Sequence, residues 1–194
     1  MSENFDLLGD RPSGPGDWIT ESPDLHPVDH PASRFLGKEF LLWLWWRSEQ
    51  DYSAIDLGEM GTVDFWLDDR IQFRTEGDDP QVSDLKGGAP ATTAEAKMAV
   101  RSGKIVETAT VGLRIKEREY HLAVKGEGLE LAGIKVPSEC DEGIDEMIFE
   151  SMFLLEEATT IIDQLFYRFC EMRLGKGWNT HVLPDIRQWV ARDA

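Results

Sequence analysis

The chain has 194 residues, of which 41% are hydrophobic and 29% are charged, and its formal net charge at pH 7 is -17. A chain of this length and composition can bury a core of its own, and we expect one compact domain with extensions. Because 37 acidic residues stand against 20 basic ones, the surface as a whole repels polyanions, and any DNA site must be local.

The first 33 residues differ in composition from the rest of the chain. They contain five of the nine prolines and seven acidic residues, against one basic residue, Arg11. Such a segment buries too little apolar surface to offset the entropy of ordering, so residues 1–33 are predicted to form a disordered arm. Within it, Phe5, Leu7 and Leu8 stand among acids; they are either a partner-binding peptide or chance apolar residues in a solvated tail.

Two further features of this arm bear on location and on metal binding. Its start lacks a basic stretch followed by an apolar one, so we expect no secretory signal and a cytoplasmic protein. His26 and His30 are four residues apart, but the proline between them and the predicted disorder oppose a preformed metal site.

The next segment, residues 32–50, is predicted to be a helix because it is rich in leucine and lacks proline. Its centre, "FLLWLWW" (Phe40 to Trp46), is apolar on every side of the helix, so it must be covered on two sides. The run is far shorter than the about 20 residues of a membrane span. The tryptophans are interpreted as core and not as a stacking platform for bases, since leucines separate them.

The segment after this helix is predicted to form a hairpin and then a short helix. In "TVDFWLDDRIQFR", apolar residues alternate on both sides of Asp68 and Asp69, which indicates two strands joined by a turn. After a connection that contains glycine and proline, Thr92 and Glu95 form a capping box, and Gly103 ends a helix of two to three turns.

The middle of the chain carries the clearest strand pattern. Alternating apolar residues predict two neighbouring strands, each with one buried and one solvated face: Ala109, Val111, Leu113 and Ile115 in the first, Tyr120, Leu122 and Val124 in the second. Residues 129–136 supply a third strand before Pro137. The economical topology for these strands is an antiparallel meander.

The C-terminal part is predicted to be helical. Residues 144–174 carry an apolar stripe with Gly175 beyond its end, and because a helix of this length is unusual we expect a break near Phe153. A last helix is indicated by four apolar residues at helical spacing, Leu183, Ile186, Trp189 and Val190. These elements predict an α+β fold, in which antiparallel hairpins and a β-meander pack against a Trp-rich N-terminal helix and long C-terminal helices. Residues 34–194 then form one domain.

Candidates for catalysis are few. The sequence contains no phosphate-binding loop, no dinucleotide-binding glycine motif, no nucleophile elbow and no CxxC pair. Cys140 and Cys170 lack metal-ligand spacing and are interpreted as buried small apolar residues. Asp64, Asp68 and Asp69 are interpreted as residues flanking a turn, with a metal-dependent hydrolase as the least supported alternative. We therefore expect no enzyme, no cofactor and no bound metal.

Charge is distributed unevenly along the chain. Residues 1–96 carry a net charge of -13 and residues 136–194 carry -7, whereas residues 97–135 carry +3. The basic side chains of this middle region either form a cationic face that contacts a phosphate backbone or belong to an ordinary mixed-charge surface. The candidate DNA contacts there are Lys97, Arg101, Lys104, Arg114, Lys116 and Lys125.

The order of several segments resembles a known family. These segments are "FLGKEFLLWLWWRSE", "VDFWLDDRIQF", "VSDLKGG", "AVRSGKIV", "VGLRIKEREYHLAV", "IKVP" and "DEMIFESMFLLEEATTIIDQLF". From about Phe35 to the end, the chain resembles the C-terminal portion of the recombination-associated protein RdgC family. The resemblance implies a non-enzymatic α+β protein that dimerises, coats or encircles duplex DNA without sequence preference, and restrains recombinase activity. The match at "LKGG" adds Lys86 to the candidate DNA contacts.

Two functions therefore stand open. The first is a sequence-non-specific DNA-binding protein of the recombination, replication or nucleoid-associated type, a homodimer that acts through a local basic face. The second is an acidic protein-protein interaction module that binds partners through its N-terminal arm and does not bind DNA. Neither function involves a membrane.

Overall fold

A computed structural model describes residues 35–50, 54–137 and 144–192. The predictions for the arm, including Phe5, Leu7 and Leu8, and for Cys140 lie outside these residues. The four α-helices of the described residues are α1 (Phe35–Ser48), α2 (Ala94–Arg101), α3 (Ile144–Leu174) and α4 (Leu183–Ala191). The six strands are β1 (Ile55–Asp56), β2 (Thr62–Arg74), β3 (Val82–Lys86), β4 (Ile105–Ile115), β5 (Arg118–Lys125) and β6 (Glu130–Lys135). This is the predicted α+β class.

All six strands belong to one antiparallel sheet with the order β1-β2-β4-β5-β6. Strands β1 and β3 both pair with β2 along the edge that β4 leaves free, β1 at its beginning and β3 at its end. The predicted meander of β4, β5 and β6 is confirmed. Strands β1 and β3 were not predicted, because one is two residues long and the other was assigned to a connection.

The predicted hairpin at Asp68 and Asp69 is wrong, because β2 runs through these residues as a single strand. Leu67 pairs with Val111 and Ile71 pairs with Ala109, so four residues of β2 span the length of two in β4. This bulge inserts an even number of residues, and the apolar alternation therefore keeps its phase on both sides. Two aspartates in a bulge give the same local pattern as two aspartates in a turn.

Helix α1 lies in the interior, between the sheet and the C-terminal helices, as its all-round apolar sequence predicts. On the sheet side, the Trp45 ring lies 5.9 Å from that of Phe73. On the other side, Phe40 meets Phe166 edge-on at 5.3 Å. Seven residues of the helix are buried: Leu36, Gly37, Phe40, Leu41, Trp43, Leu44 and Trp45.

The start of α1 approaches the β5–β6 turn closely, and two glycines make this contact. A Cβ atom on Gly37 would lie 1.9 Å from the carbonyl oxygen of Gly126. Any side chain at position 37 would therefore push the helix away from the sheet. The glycine three residues before the apolar run thus sets how closely α1 approaches the sheet.

Helix α2 is capped one residue later than predicted, because the hydroxyl of Thr93, not Thr92, accepts the N–H of Ala96. The helix has eight residues and Gly103 follows it with a φ of 88°, as predicted for a glycine stop.

Helix α3 is continuous over 31 residues, so the predicted break near Phe153 is wrong. The segment contains neither proline nor glycine, and its second half packs along α1. Cys170 is buried there, as predicted. Among the described residues, none of the helices combines the length and the apolar character that a bilayer crossing requires.

Candidate functional site

The seven predicted DNA contacts do not share one surface. The register places Lys86, Arg114 and Lys125 on the face of the sheet that points away from the helices, here called the outer face. Lys116 lies in the β4–β5 turn with a φ of 54°. Lys97, Arg101 and Lys104 belong to α2 and the loop after it, on the helical side. The sheet separates the two groups.

The basic residues of the outer face are paired with carboxylates. Arg114 lies 2.9 Å from Glu119, and Lys125 lies 2.5 Å from Glu130. Lys86 lies 3.0 Å from Asp84, which also accepts two hydrogen bonds from Arg70, at 2.9 and 2.8 Å. The hydrogen bonds from Arg70 hold the pKa of Asp84 at about 2. This face therefore presents alternating charges and not a continuous cationic strip.

On the helical side, the basic residues of α2 and of the loop after it make contacts within the protein. Lys97 is buried, so it does not lie on the exposed face predicted for it. The Arg101 guanidinium donates to the carbonyl oxygens of Val190 and Arg192, at 2.7 Å each, and so holds the end of α4. Lys104 donates to the hydroxyl of Ser83 at 2.5 Å. These contacts join α2 to neighbouring elements.

A polar cluster on the outer face was missed by the sequence analysis. His121 lies between two carboxylates, with Nδ1 2.6 Å from Asp68 and Nε2 3.0 Å from Glu119. The Trp66 indole covers Gly112, where an added Cβ would lie 2.1 Å from the ring. These contacts tie β2, β4 and β5 together across the bulge. Asp68 was assigned to a turn, and nothing local in the sequence pairs it with a histidine 53 positions later.

Within residues 35–50, 54–137 and 144–192, no group of three or more His, Cys, Asp or Glu side chains is arranged to hold a metal ion. Asp68 accepts a hydrogen bond from His121 or bridges to its imidazolium, which accounts for its position without a cation.

A cleft of about 350 Å³ lies between α1 and the start of β4. Its walls include Phe35, Leu42 and Val106. The charged groups at its rim are already engaged, since Lys38 pairs with Glu76 at 3.3 Å. The cleft therefore offers apolar surface to a ligand, whereas Lys38 and Glu76 at its rim are already paired with each other.

Among the described elements, α3 exposes the largest group of large apolar side chains, and this group lies in the first half of the helix. Six large apolar side chains there are exposed by 39 to 72%. Single exposed apolar residues are common, whereas a contiguous group of this size marks an interaction site. This group, the α3 apolar surface, consists of Met147, Ile148, Phe149, Met152, Phe153 and Leu155.

The α3 apolar surface faces away from the core. Residues seven apart lie on the same side of a helix, and Phe149, Glu156 and Asp163 form such a line. From Glu156 onwards this outward line is therefore polar, as expected for a side that faces solvent. Leu154 and Ala158, on the opposite side, are buried. From Glu146 to Phe153 no side chain is buried, so the start of α3 exposes its apolar residues together with polar ones such as Glu146 and Ser151.

A partly buried polar contact holds this part of α3 on the sheet. Glu157 accepts a hydrogen bond from the Tyr120 hydroxyl and lies 2.8 Å from Arg118. Desolvation raises the pKa of Glu157, but the hydrogen bonds from Tyr120 and Arg118 outweigh it, and the pKa lies below its ordinary value. The Arg118 guanidinium also lies 5.6 Å from the centre of the Phe153 ring. The surface is thus presented in a defined position.

Comparison of the chain with protein-family models, with curated proteins and with solved structures found no match. The resemblance to the RdgC family stays a prediction. The chain is an acidic α+β protein. It exposes apolar side chains on α3, and charged residues on the outer face of its sheet form ion pairs.

Proposed function

We propose that this chain is a protein-interaction module that acts by binding and not by catalysis. It binds its partner through the α3 apolar surface. The observation that carries the proposal is the exposure of Phe149, 72%, and Met152, 61%, side by side on one helix. Burying such side chains against a partner is favourable by about 25 cal/mol for each Å² of apolar surface. The module was predicted to use its N-terminal arm, whereas this proposal assigns the contact to α3.

A photo-crosslinking residue at position 152 tests the proposal in the cell that makes the protein. We expect a covalent adduct with a defined partner from position 152. Position 159, one heptad further along the same helix, is the matched control, since Thr159 is exposed on the polar part of the same side. Phe149→Ser should remove the adduct. Equal adducts from both positions, or none from position 152, would contradict the proposal.

Binding of duplex DNA is a second candidate function. It draws on the RdgC resemblance and on the placement of Lys86, Arg114 and Lys125 on one face of the sheet. On binding DNA, each of these side chains would leave its carboxylate partner and pair with a phosphate of the DNA backbone. Mobility shifts across a salt series test it, because several phosphate contacts make log affinity fall steeply with log salt. Absence of binding at low salt would exclude it, and sedimentation would test the predicted homodimer.

A further inference from the structure

We propose that the α3 apolar surface binds a cationic amphipathic helix of a partner protein. The inference rests on the function proposed above and adds the chemistry of the partner. It follows from three properties of the surface, namely its charge, its size and its relation to the rest of this acidic chain.

The first property is the charge around the surface. From residue 144 to residue 167 the chain has six acidic residues and no lysine or arginine, and Arg118 of β5, which lies beside Phe153, is paired with Glu157. Glu146, Glu150 and Glu156 lie within one helical turn of the exposed apolar side chains. One helical turn is shorter than the Debye length of about 8 Å at physiological ionic strength. The three carboxylates therefore interact electrostatically with a partner that is bound to the apolar surface. A partner with basic residues beside its apolar ones complements both features.

The second property is the size and chemistry of the surface. With about 200 Å² for a fully exposed large side chain, the six residues leave roughly 600 Å² open. Standard interfaces bury about 800 Å² on each partner, so a single amphipathic helix with its flanking residues matches this area. Methionine and phenylalanine also adapt to differently shaped apolar anchors. Helix recognition of this kind uses anchors three, four and seven residues apart.

The third property is the repulsion that this surface exerts on two other possible occupants, a second copy of itself and the N-terminal arm. A second copy would bring one segment without basic residues against another, which places like charges together. The N-terminal arm, with seven acidic residues and one basic residue, meets the same repulsion. Charge complementarity therefore selects a basic segment from a different protein.

Binding of three labelled synthetic peptides to the full chain, followed by fluorescence anisotropy, tests the inference. The probe is an 18-residue amphipathic helix of leucine and lysine. One control replaces every lysine with glutamate, and the other keeps the composition but scrambles the order so that no apolar face forms. We expect the leucine-lysine helix to bind at least tenfold more tightly than either control.

Two sets of variants locate the binding. Phe149→Ser with Met152→Ser removes apolar surface at unchanged charge and should abolish peptide binding. Glu146→Gln, Glu150→Gln and Glu156→Gln together keep the apolar surface and should weaken binding about tenfold at low salt. A control that removes the same charge at exposed positions elsewhere should bind like the parent: Glu59→Gln, Asp78→Asn and Asp79→Asn.

Each other outcome overturns the inference in a recognisable way. Equal binding of the leucine-glutamate peptide rejects a cationic partner and leaves the proposed function intact. Self-association that Phe149→Ser abolishes identifies a second copy as the occupant. Peptide binding that requires deletion of residues 1–33 identifies the arm as the occupant. Failure of all peptides together with absence of the crosslink from position 152 rejects the proposed function as well.

Discussion

The ammonium of Lys97 lies 3.4 Å from the carboxylate of Glu49, with 10% of the lysine side chain and 24% of the glutamate side chain exposed. The same carboxylate accepts the indole N–H groups of Trp45, at 2.8 Å, and Trp189, at 2.7 Å. Lys97 also lies 4.9 Å from the centre of the Trp189 ring. One acidic residue thus joins α1, α2 and α4.

Glu49→Ala is expected to lower the free energy of unfolding by about 3 kcal/mol, because it leaves the buried Lys97 ammonium and the Trp189 indole N–H without their acceptor, while the Trp45 N–H keeps the Ala91 carbonyl. Lys97→Met should cost less, since methionine fills the site without a charge. Urea unfolding of both single variants and the double variant measures the coupling. Additive losses would mean that the two residues do not interact.

Trp43 and Trp45 are both buried but differ in hydrogen bonding. A comparison of the two therefore measures how much an indole hydrogen bond contributes to the free energy of unfolding. The Trp45 N–H is bonded to Glu49 and to the Ala91 carbonyl, whereas the buried Trp43 N–H has no hydrogen-bond partner among the described residues. Replacement by phenylalanine removes similar volume at both positions. Trp45→Phe should therefore be more destabilising than Trp43→Phe by about 1 to 2 kcal/mol in urea unfolding. Equal losses would contradict the difference in bonding.

Phe149→Ala should change the free energy of unfolding by less than about 0.5 kcal/mol, because Phe149 is mostly exposed. Phe169 lies on the same helix but is fully buried, and Phe169→Ala should cost about 3 to 5 kcal/mol. Thermal and urea unfolding of both variants check this. A large loss for Phe149→Ala would show that the α3 apolar surface is covered within the chain.

Stability is expected to fall as the pH is lowered from about 4.5 to 2, owing in part to Asp84 and Glu157. Both have a pKa below the ordinary value in the folded state, so their stabilisation is present above the unfolded pKa and is lost on protonation. Asp84→Asn should flatten the decline by less than about 1 kcal/mol, since its pairs lie at the surface. Urea unfolding across this pH range measures it. An unchanged slope would contradict the assignment.

Cys170 is expected to resist thiol reagents in the folded protein. Burial raises the pKa of its thiol to about 12, so the reactive thiolate is scarce near pH 8. In a Cys140→Ser background, Ellman's reagent should detect no thiol in native buffer and one thiol in denaturant. Rapid reaction in native buffer would show that the end of α3 opens readily.

The fold class and most elements follow from the sequence because they depend on local periodicity. The leucine-rich, proline-free sequence of α1 predicts a helix that is covered on two sides, and the period of 2 in β4 and β5 predicts strands and their buried faces. The hairpin in β2 and the break in α3 were predicted wrongly because the local pattern at each place has two solutions. The paired aspartates in β2 are compatible with a turn or a bulge, and the length of α3 suggests a break although nothing in its sequence causes one.

The site depended on contacts that the sequence does not encode locally. The basic residues were found by composition, but the carboxylates that pair with Arg114 and Lys125 come from neighbouring strands, and Lys97 points inward because Glu49 is there to receive it. The apolar residues of α3 are plain in the sequence. Only the tertiary structure decides that the sheet and α1 cover one side of this helix and leave Phe149 open, because burial depends on where the packed body ends.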